Sequence, residues 1–183
     1  VAPARFSPIR KPLLGRASAV RLAIFDVDGV LTDGTLYLSA GGEQLKAFNI
    51  LDGHGLRMLL ESGVDLAILS GRKSAAVRAR AKELGIAHVI QGAADKLPAY
   101  LRLLQDLHLD ARRSAFMGDD LPDLPVLRRC GLAISVPGAP PLVRAQAHYV
   151  TRAAAGHGAV REACELIMRA QGTLEARVES YLR

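Results

Sequence analysis

From Leu22 onward, short apolar runs alternate with longer stretches in which apolar residues recur every three or four positions. The short runs are 22–26 (LAIFD), 65–69 (DLAIL), 88–90 (HVI), 114–117 (SAFM) and 132–134 (LAI). Near-continuous apolarity over so few residues predicts strands buried on both faces, as in a parallel sheet covered on both sides. Helical spacing predicts helices over 55–62, 74–84, 96–107 and 123–129. Strand–helix–strand repetition requires right-handed crossovers. The expected class is therefore α/β, a Rossmann-like three-layer sandwich around a central parallel sheet.

Residues 35–48 break the alternation with two strand-like arms around Gly41-Gly42, a hairpin signal that predicts a β-flap after the first strand. Later, 141–147 reads as a short helix and 149–150 as a last strand. Residues 159–171 form an amphipathic pattern with Val160, Ala163, Cys164, Ile167 and Met168 on one side. Gly172 suits a helix stop. The expected organisation is a basic, disordered leader over 1–20, one domain over 21–172 and a tail over 173–183.

Composition narrows the function classes. At 183 residues the chain suits one domain, and 50% apolar with 23% charged residues is globular composition. No run approaches the ~20 apolar residues of a membrane helix. Cys130 and Cys164 are too few for a disulfide framework and read as buried thiols in a reducing compartment. The net charge of +6 suggests nucleic acid until it is located. Arg5, Arg10, Lys11, Arg16 and Arg21 supply five of those charges with no acid among residues 1–21. Aromatic residues are only 4% and Trp is absent, which leaves few stacking platforms for bases. No nucleic-acid or membrane partner is expected.

The first strand runs into Asp26-Val27-Asp28-Gly29. Open α/β sheets bind ligands at the carboxyl ends of their strands, where these acids fall. The second strand ends in Ser70-Gly71-Arg72, whose hydroxyl and amide can donate to an anion. Lys96 opens a helix after the third strand, and the fourth ends in Gly118-Asp119-Asp120-Leu121-Pro122-Asp123. Taken singly, each has a plain structural role: a solvated turn at Asp26 and Asp28, a helix cap at Ser70, Asp119 or Asp123, a solvated helix end at Lys96. Carboxylates, hydroxyl and ammonium converging from four strand ends point instead to a shared site.

This ordered set resembles the four motifs of the haloacid dehalogenase superfamily of phosphotransferases. The segments AFNILDGHGLRML, GRKSAAVRARAKELGI and GHGAVREACELIM are similar to the 3-deoxy-D-manno-octulosonate 8-phosphate phosphatase family, over about residues 20–172. The resemblance implies Asp26 as nucleophile, forming an aspartyl-phosphate, and Asp28 as acid and then base. It implies Mg²⁺ held by Asp26, the Asp28 carbonyl and Asp119, with Asp120 and Asp123 supporting the metal site. For Asp123 an N-cap role stays open. Ser70, the Gly71 amide and Lys96 would hold the phosphoryl oxygens.

Only 44 positions separate Asp26 from Ser70 and 26 separate Ser70 from Lys96, so neither gap holds the cap domain of larger relatives. Closure would then fall to the flap, the tail and neighbouring subunits, and the resembled family implies a homotetramer. Arg72 and Arg80 are candidates for the sugar-acid carboxylate, Arg80 from a neighbour, although Arg80 also suits plain solvated surface. Asn49 and the DGHG turn at 52–55 would line the pocket, with His54 either there or on a solvent-facing loop. The resemblance implies a cytoplasmic enzyme of lipopolysaccharide biosynthesis acting on a small sugar phosphate. Two rival readings are a phosphatase of a nine-carbon sugar acid 9-phosphate and a phospho-accepting signalling module; Asp28, an acid placed to protonate a leaving alcohol, argues against the second.

Overall fold

A computed structural model describes residues 11–40 and 44–182. Six parallel strands form the central sheet: β1 (Leu22–Phe25), β4 (Asp65–Ser70), β5 (His88–Gln91), β6 (Ser114–Met117), β7 (Leu132–Ser135) and β8 (Tyr149–Val150). Their spatial order is β5-β4-β1-β6-β7-β8. All six fall where the apolar runs predicted them, within a residue or two. Every residue of β1, β6 and β7 is buried, whereas the edge strands β5 and β8 are half-buried. The apolar runs were continuous because the central strands have no solvent face.

From β1 the chain winds outward through α2 (Ile50–Glu61), β4, α3 (Ala75–Leu84) and β5, then returns by α4 (Lys96–Asp106) to β6 on the other side of β1. Right-handed crossovers taken in opposite directions place helices on opposite faces of the sheet. The strand order therefore reverses between β1 and β6, and a crevice opens at their carboxyl ends. α5 (Leu124–Leu127), α6 (Pro141–Arg144) and α7 (Ala159–Ala170) complete the covering layers. The flap is a separate antiparallel pair, β2 (Tyr37–Leu38) with β3 (Gln44–Leu45); its Gly41-Gly42 tip lies outside the described residues. Neither motif gap holds a cap domain.

Three boundaries differ from expectation. The disordered leader expected over 1–20 is corrected in its second half: residues Lys11–Ser18 form a helix, α1. Ala17 and Val20 are fully buried, α1 packs on α7, and Arg16 Nη1 donates to the Gly131 carbonyl at 2.8 Å. Residues 1–10 lie outside the described residues. The helix expected over 55–62 begins at Ile50, because Asn49 caps it by accepting from the Leu51 amide at 2.8 Å and the Asp52 amide at 3.3 Å. The expected DGHG turn is thus helical. A Cβ at Gly53 would stand 2.1 Å from Arg80 Nη2, and one at Gly55 2.9 Å from Arg161 Cα, so these glycines permit close packing. The helix expected over 123–129 is split into a 3-10 turn, Leu121–Asp123, and α5, where Pro122 and Pro125 withhold amide donors.

The tail folds onto its own chain as α8 (Leu174–Glu179). Leu174 is buried, Arg177 Nη1 reaches Glu61 Oε2 at 3.0 Å, and Tyr181 Oη lies 2.8 Å from His54 Nε2. His54 is therefore a helical residue under the tail and lines no pocket with the acid cluster.

Candidate active site

The strand ends converge as the motif order predicted. One pocket is lined by Asp26, Asp28, Ser70, Lys96, Asp119 and Asp123, together with Gly71, Arg72 and Asp120. The Asp26 amide still bonds to Met117 O at 3.0 Å, so β1 delivers its carboxylate just past the last ladder contact. The chain then turns sharply: the amides of Val30, Leu31 and Thr32 all reach Val27 O. Gly29 has φ +83° and faces Asp119, where an added Cβ would stand 2.1 Å from Oδ2. Glycine at this place follows from both the backbone and the carboxylate opposite.

Lys96 is buried, and its Nζ lies 2.8 Å from Asp26 Oδ2 and 2.5 Å from Asp123 Oδ1. Burial alone would lower its pKa, yet the paired carboxylates hold it above the usual lysine range. Asp123 accepts with its other oxygen from the amides of Asp119 at 2.9 Å and Asp120 at 3.2 Å. It therefore ties the Gly118–Asp120 loop to Lys96. Burial, reinforced by Asp123 and opposed by Lys96, pushes Asp26 up to about 6. Burial and the charges of Asp26 and Asp123 push Asp119 up to about 7.

The carboxylate oxygens of Asp26, Asp119 and Asp123 include one from each residue within 4.8 Å of the others. Asp119 Oδ1 is buried with no hydrogen-bond partner among the described residues. Three carboxylates against one ammonium leave two negative charges, the complement of a divalent cation, and an all-oxygen donor set suits a hard ion. The residues present fit such an ion.

Comparison with known proteins decides the family. A haloacid dehalogenase-like hydrolase family model matches residues 85–162. The chain is 48% identical over 170 residues to a 3-deoxy-D-manno-octulosonate 8-phosphate phosphatase of Yersinia pestis, covering 93% of this chain and 91% of that protein. It is 46% identical to the phosphatase of that description in Escherichia coli K12, over 93% and 90% of the two chains. The solved phosphatase of Moraxella catarrhalis, in complex with magnesium, phosphate and KDO, superimposes with a TM-score of 0.92 at 44% identity. That match covers 94% of this chain and 99% of the other. The chain belongs to the 3-deoxy-D-manno-octulosonate 8-phosphate phosphatase family. It is a hydrolase of the haloacid dehalogenase type.

The structure sorts the remaining residues that the family resemblance brought in. Arg72 lines the acid pocket, with Nε 3.8 Å from Asp28 Oδ2. The Asp120 carboxylate is turned to the Leu121 amide at 2.8 Å and caps the 3-10 turn. Asp123 stands at the N-cap position of α5 but its side chain makes no cap there; its carboxylate is taken by Lys96 and by the Asp119 and Asp120 amides. Arg80 and Asn49 are not brought to the acid pocket within the chain. Both line a separate small cavity between α2 and α3 that shares no lining residue with it. Arg80 Nη1 pairs with Glu83 Oε2 at 2.9 Å. Asn49, besides capping α2, donates to Gly156 O at 3.1 Å, and the Gly156 amide reaches Val30 O at 3.3 Å. Asn49 thereby braces the loop behind Asp26 from outside the pocket.

Two features escaped sequence reasoning. Asp52 is buried in α2 and accepts from the amides of Gly158 at 3.2 Å and Arg161 at 2.8 Å, satisfying the start of α7. Asn49 followed three residues later by an acid is the sequence signal for the start of α2. Lys46 is the other: its ammonium pairs with Asp28 Oδ1. No local pattern marks that contact, because it depends on where the flap returns.

Proposed function

We propose that the protein is a magnesium-dependent phosphatase that hydrolyses 3-deoxy-D-manno-octulosonate 8-phosphate to the free sugar acid and phosphate. The observation that carries this reading is the Asp26 carboxylate held beside the Lys96 ammonium and the partnerless Asp119 oxygen. The Lys96 ammonium beside Asp26 favours its ionised form, the form that attacks phosphorus. Its bond to phosphorus forms as the bond to the sugar oxygen breaks, and Asp28 delivers a proton to that oxygen. In the second half Asp28 takes a proton from water, whose oxygen displaces Asp26 and frees phosphate. Ser70, the Gly71 amide and Lys96 would hold the phosphoryl oxygens while charge redistributes. Asp26, the Asp28 carbonyl and Asp119 would hold Mg²⁺, which when bound screens the carboxylate from the anionic phosphate. Asp123 keeps Lys96 in place, and Asp120 supports the loop through its cap.

Sugar recognition would come from Arg72, which lines the pocket, and from Arg80 of a neighbouring copy. Asn49 would act through the loop it braces. A homotetramer is supported by the exposed apolar surface along the flap and the start of α2, at Tyr37, Leu38, Leu45, Ile50 and Leu51. We read the enzyme as cytoplasmic and as serving lipopolysaccharide synthesis; no helix among the described residues is long and apolar enough to cross a membrane. Phosphate release measured side by side on the eight-carbon substrate and on a nine-carbon sugar acid 9-phosphate, with Mg²⁺ and with chelator, tests the proposal. Faster turnover of the eight-carbon substrate, abolished by chelator, is expected. Preference for the nine-carbon sugar would overturn the substrate, and full activity in chelator the mechanism. Light scattering of the purified protein tests the tetramer.

A further inference from the structure

The described part of the flap is short and exposed. Its two strands are two residues each, and Tyr37, Leu38 and Leu45 all face solvent. So short a hairpin is marginal in water without packing beneath it. One residue beyond Leu45 the chain changes character. The Lys46 side chain is only 1% exposed, although lysine is among the residues least often buried. A buried ammonium requires a partner, and here the partner is Asp28 Oδ1, 18 residues away in sequence. The other Asp28 oxygen faces Arg72 Nε at 3.8 Å. Lys96, which lines the pocket, is already committed to Asp26 and Asp123. The two lysines thus divide the acids between them, and the one serving Asp28 arrives on the flap.

We propose that Lys46 is a positioning residue that pins the Asp28 carboxylate from the returning arm of the flap, so that flap and Asp28 keep a fixed relation. The inference rests on the reading of Asp28 as proton carrier for the leaving alcohol. Arg72 cannot replace Lys46 in this respect, since it sits at the end of β4 and does not move with the flap. Loss of the Lys46 charge weakens both sides of the contact: Asp28 loses an orienting partner and the flap loses a polar anchor to the site.

The test uses the full chain with Mg²⁺ and three variants. Lys46→Met keeps the stem and removes the charge, Lys46→Arg keeps the charge, and Asp28→Asn removes the other half of the pair. Steady-state kinetics on the sugar phosphate and on an aryl phosphate are combined with amide hydrogen exchange over residues 35–48. For Lys46→Met, kcat on the sugar phosphate should fall on the order of tenfold, the size expected for contacting residues. The aryl phosphate, whose leaving group needs little protonation, should lose much less, and Lys46→Arg should recover most of the sugar turnover. Flap amides should exchange faster in both Lys46→Met and Asp28→Asn. The proposal is overturned if Lys46→Met keeps sugar kcat within about twofold of wild type, or loses equally on both substrates as a purely structural role would require. It is also overturned if Lys46→Arg is as impaired as Lys46→Met, or if Asp28→Asn leaves flap exchange unchanged. Wild-type sugar turnover in Asp28→Asn would instead refute the reading of Asp28, while flap exchange would still report on its tie to Lys46.

Discussion

Asp119→Asn should make the metal-free protein more stable while making the enzyme inactive. Asp119 is half-buried, has one oxygen with no partner, and sits beside Asp26 and Asp123. Its pKa rises from 3.8 to about 7, chiefly by burial and then by those two carboxylates. An acid whose pKa is higher folded than unfolded binds more protons in the native state between these values. Stability therefore falls as pH rises through the window from about 4 to 7, and the penalty is complete above it. A rise of about three pH units corresponds to ~4 kcal/mol, and partial exposure with coupling to Asp26 reduces it to roughly 2–3 kcal/mol. Asparagine keeps the shape and removes the charge. In chelator at pH 8 the variant should melt about 5–10 °C above wild type, at about 2–4 °C per kcal/mol for a domain of this size. At pH 4 the two should nearly coincide, because the wild-type carboxyl is then neutral as well. Added Mg²⁺ should stabilise wild type at pH 8 far more than the variant. Thermal denaturation across that pH range, with and without Mg²⁺, is the assay. A variant less stable than wild type in chelator at pH 8, or a difference that does not change with pH, would refute the electrostatic reasoning.

Asp26→Asn should lose several powers of ten in turnover, as expected on removing a nucleophile, and a variant retaining a tenth of wild-type kcat would exclude the assignment. Asp28→Asn should be far more damaging on the sugar phosphate than on an aryl phosphate, measured as the ratio of the two kcat values; equal losses would argue against proton donation. Gly29→Ala combines a left-handed backbone, φ +83°, with a Cβ 2.1 Å from Asp119 Oδ2. It should cost about 1–3 kcal/mol by urea denaturation and weaken Mg²⁺ activation, and a variant with unchanged metal dependence would show that Asp119 can move aside freely.

What could be read from the sequence follows the physics of burial. Strands β1, β4, β6 and β7 were legible because a central strand with no solvent face leaves an apolar run that little else imitates. The acids were legible for a related reason: Asp26 and Asp119 stand at the ends of the two strands flanking the reversal of strand order. Elements anchored by a few long-range contacts were not legible. α1 carries a basic, Pro-containing sequence, and nothing local announces that Ala17 and Val20 are buried with α7 packed alongside. The glycines of α2 read as a turn because their reason lies outside the segment, in Arg80 and Arg161 packed against them. Lys46 is the clearest case, a lysine on an exposed flap whose surroundings are set by a residue 18 positions earlier.

The same distinction separates the two halves of the proposed chemistry. Groups assigned to the phosphoryl transfer, Asp26, Asp28, Ser70, Gly71, Lys96 and Asp119, line one pocket of one chain. Each follows a strand end or opens the next helix, so the sheet alone fixes their relation. Groups assigned to the sugar do not share that frame. Arg72 lines the pocket with more than half of its side chain exposed, while Arg80 and Asn49 line a different cavity altogether. Arg80 can therefore meet a sugar acid only in the pocket of another copy, as the tetramer proposal requires. With no cap domain in either motif gap, the catalytic cluster is rigid, and selectivity must come from surfaces that the sheet does not position. Substitutions at Arg80 should accordingly raise KM for the sugar phosphate and leave aryl phosphate turnover intact. If both substrates suffer alike, Arg80 serves only its own fold, through Glu83 and the close approach at Gly53.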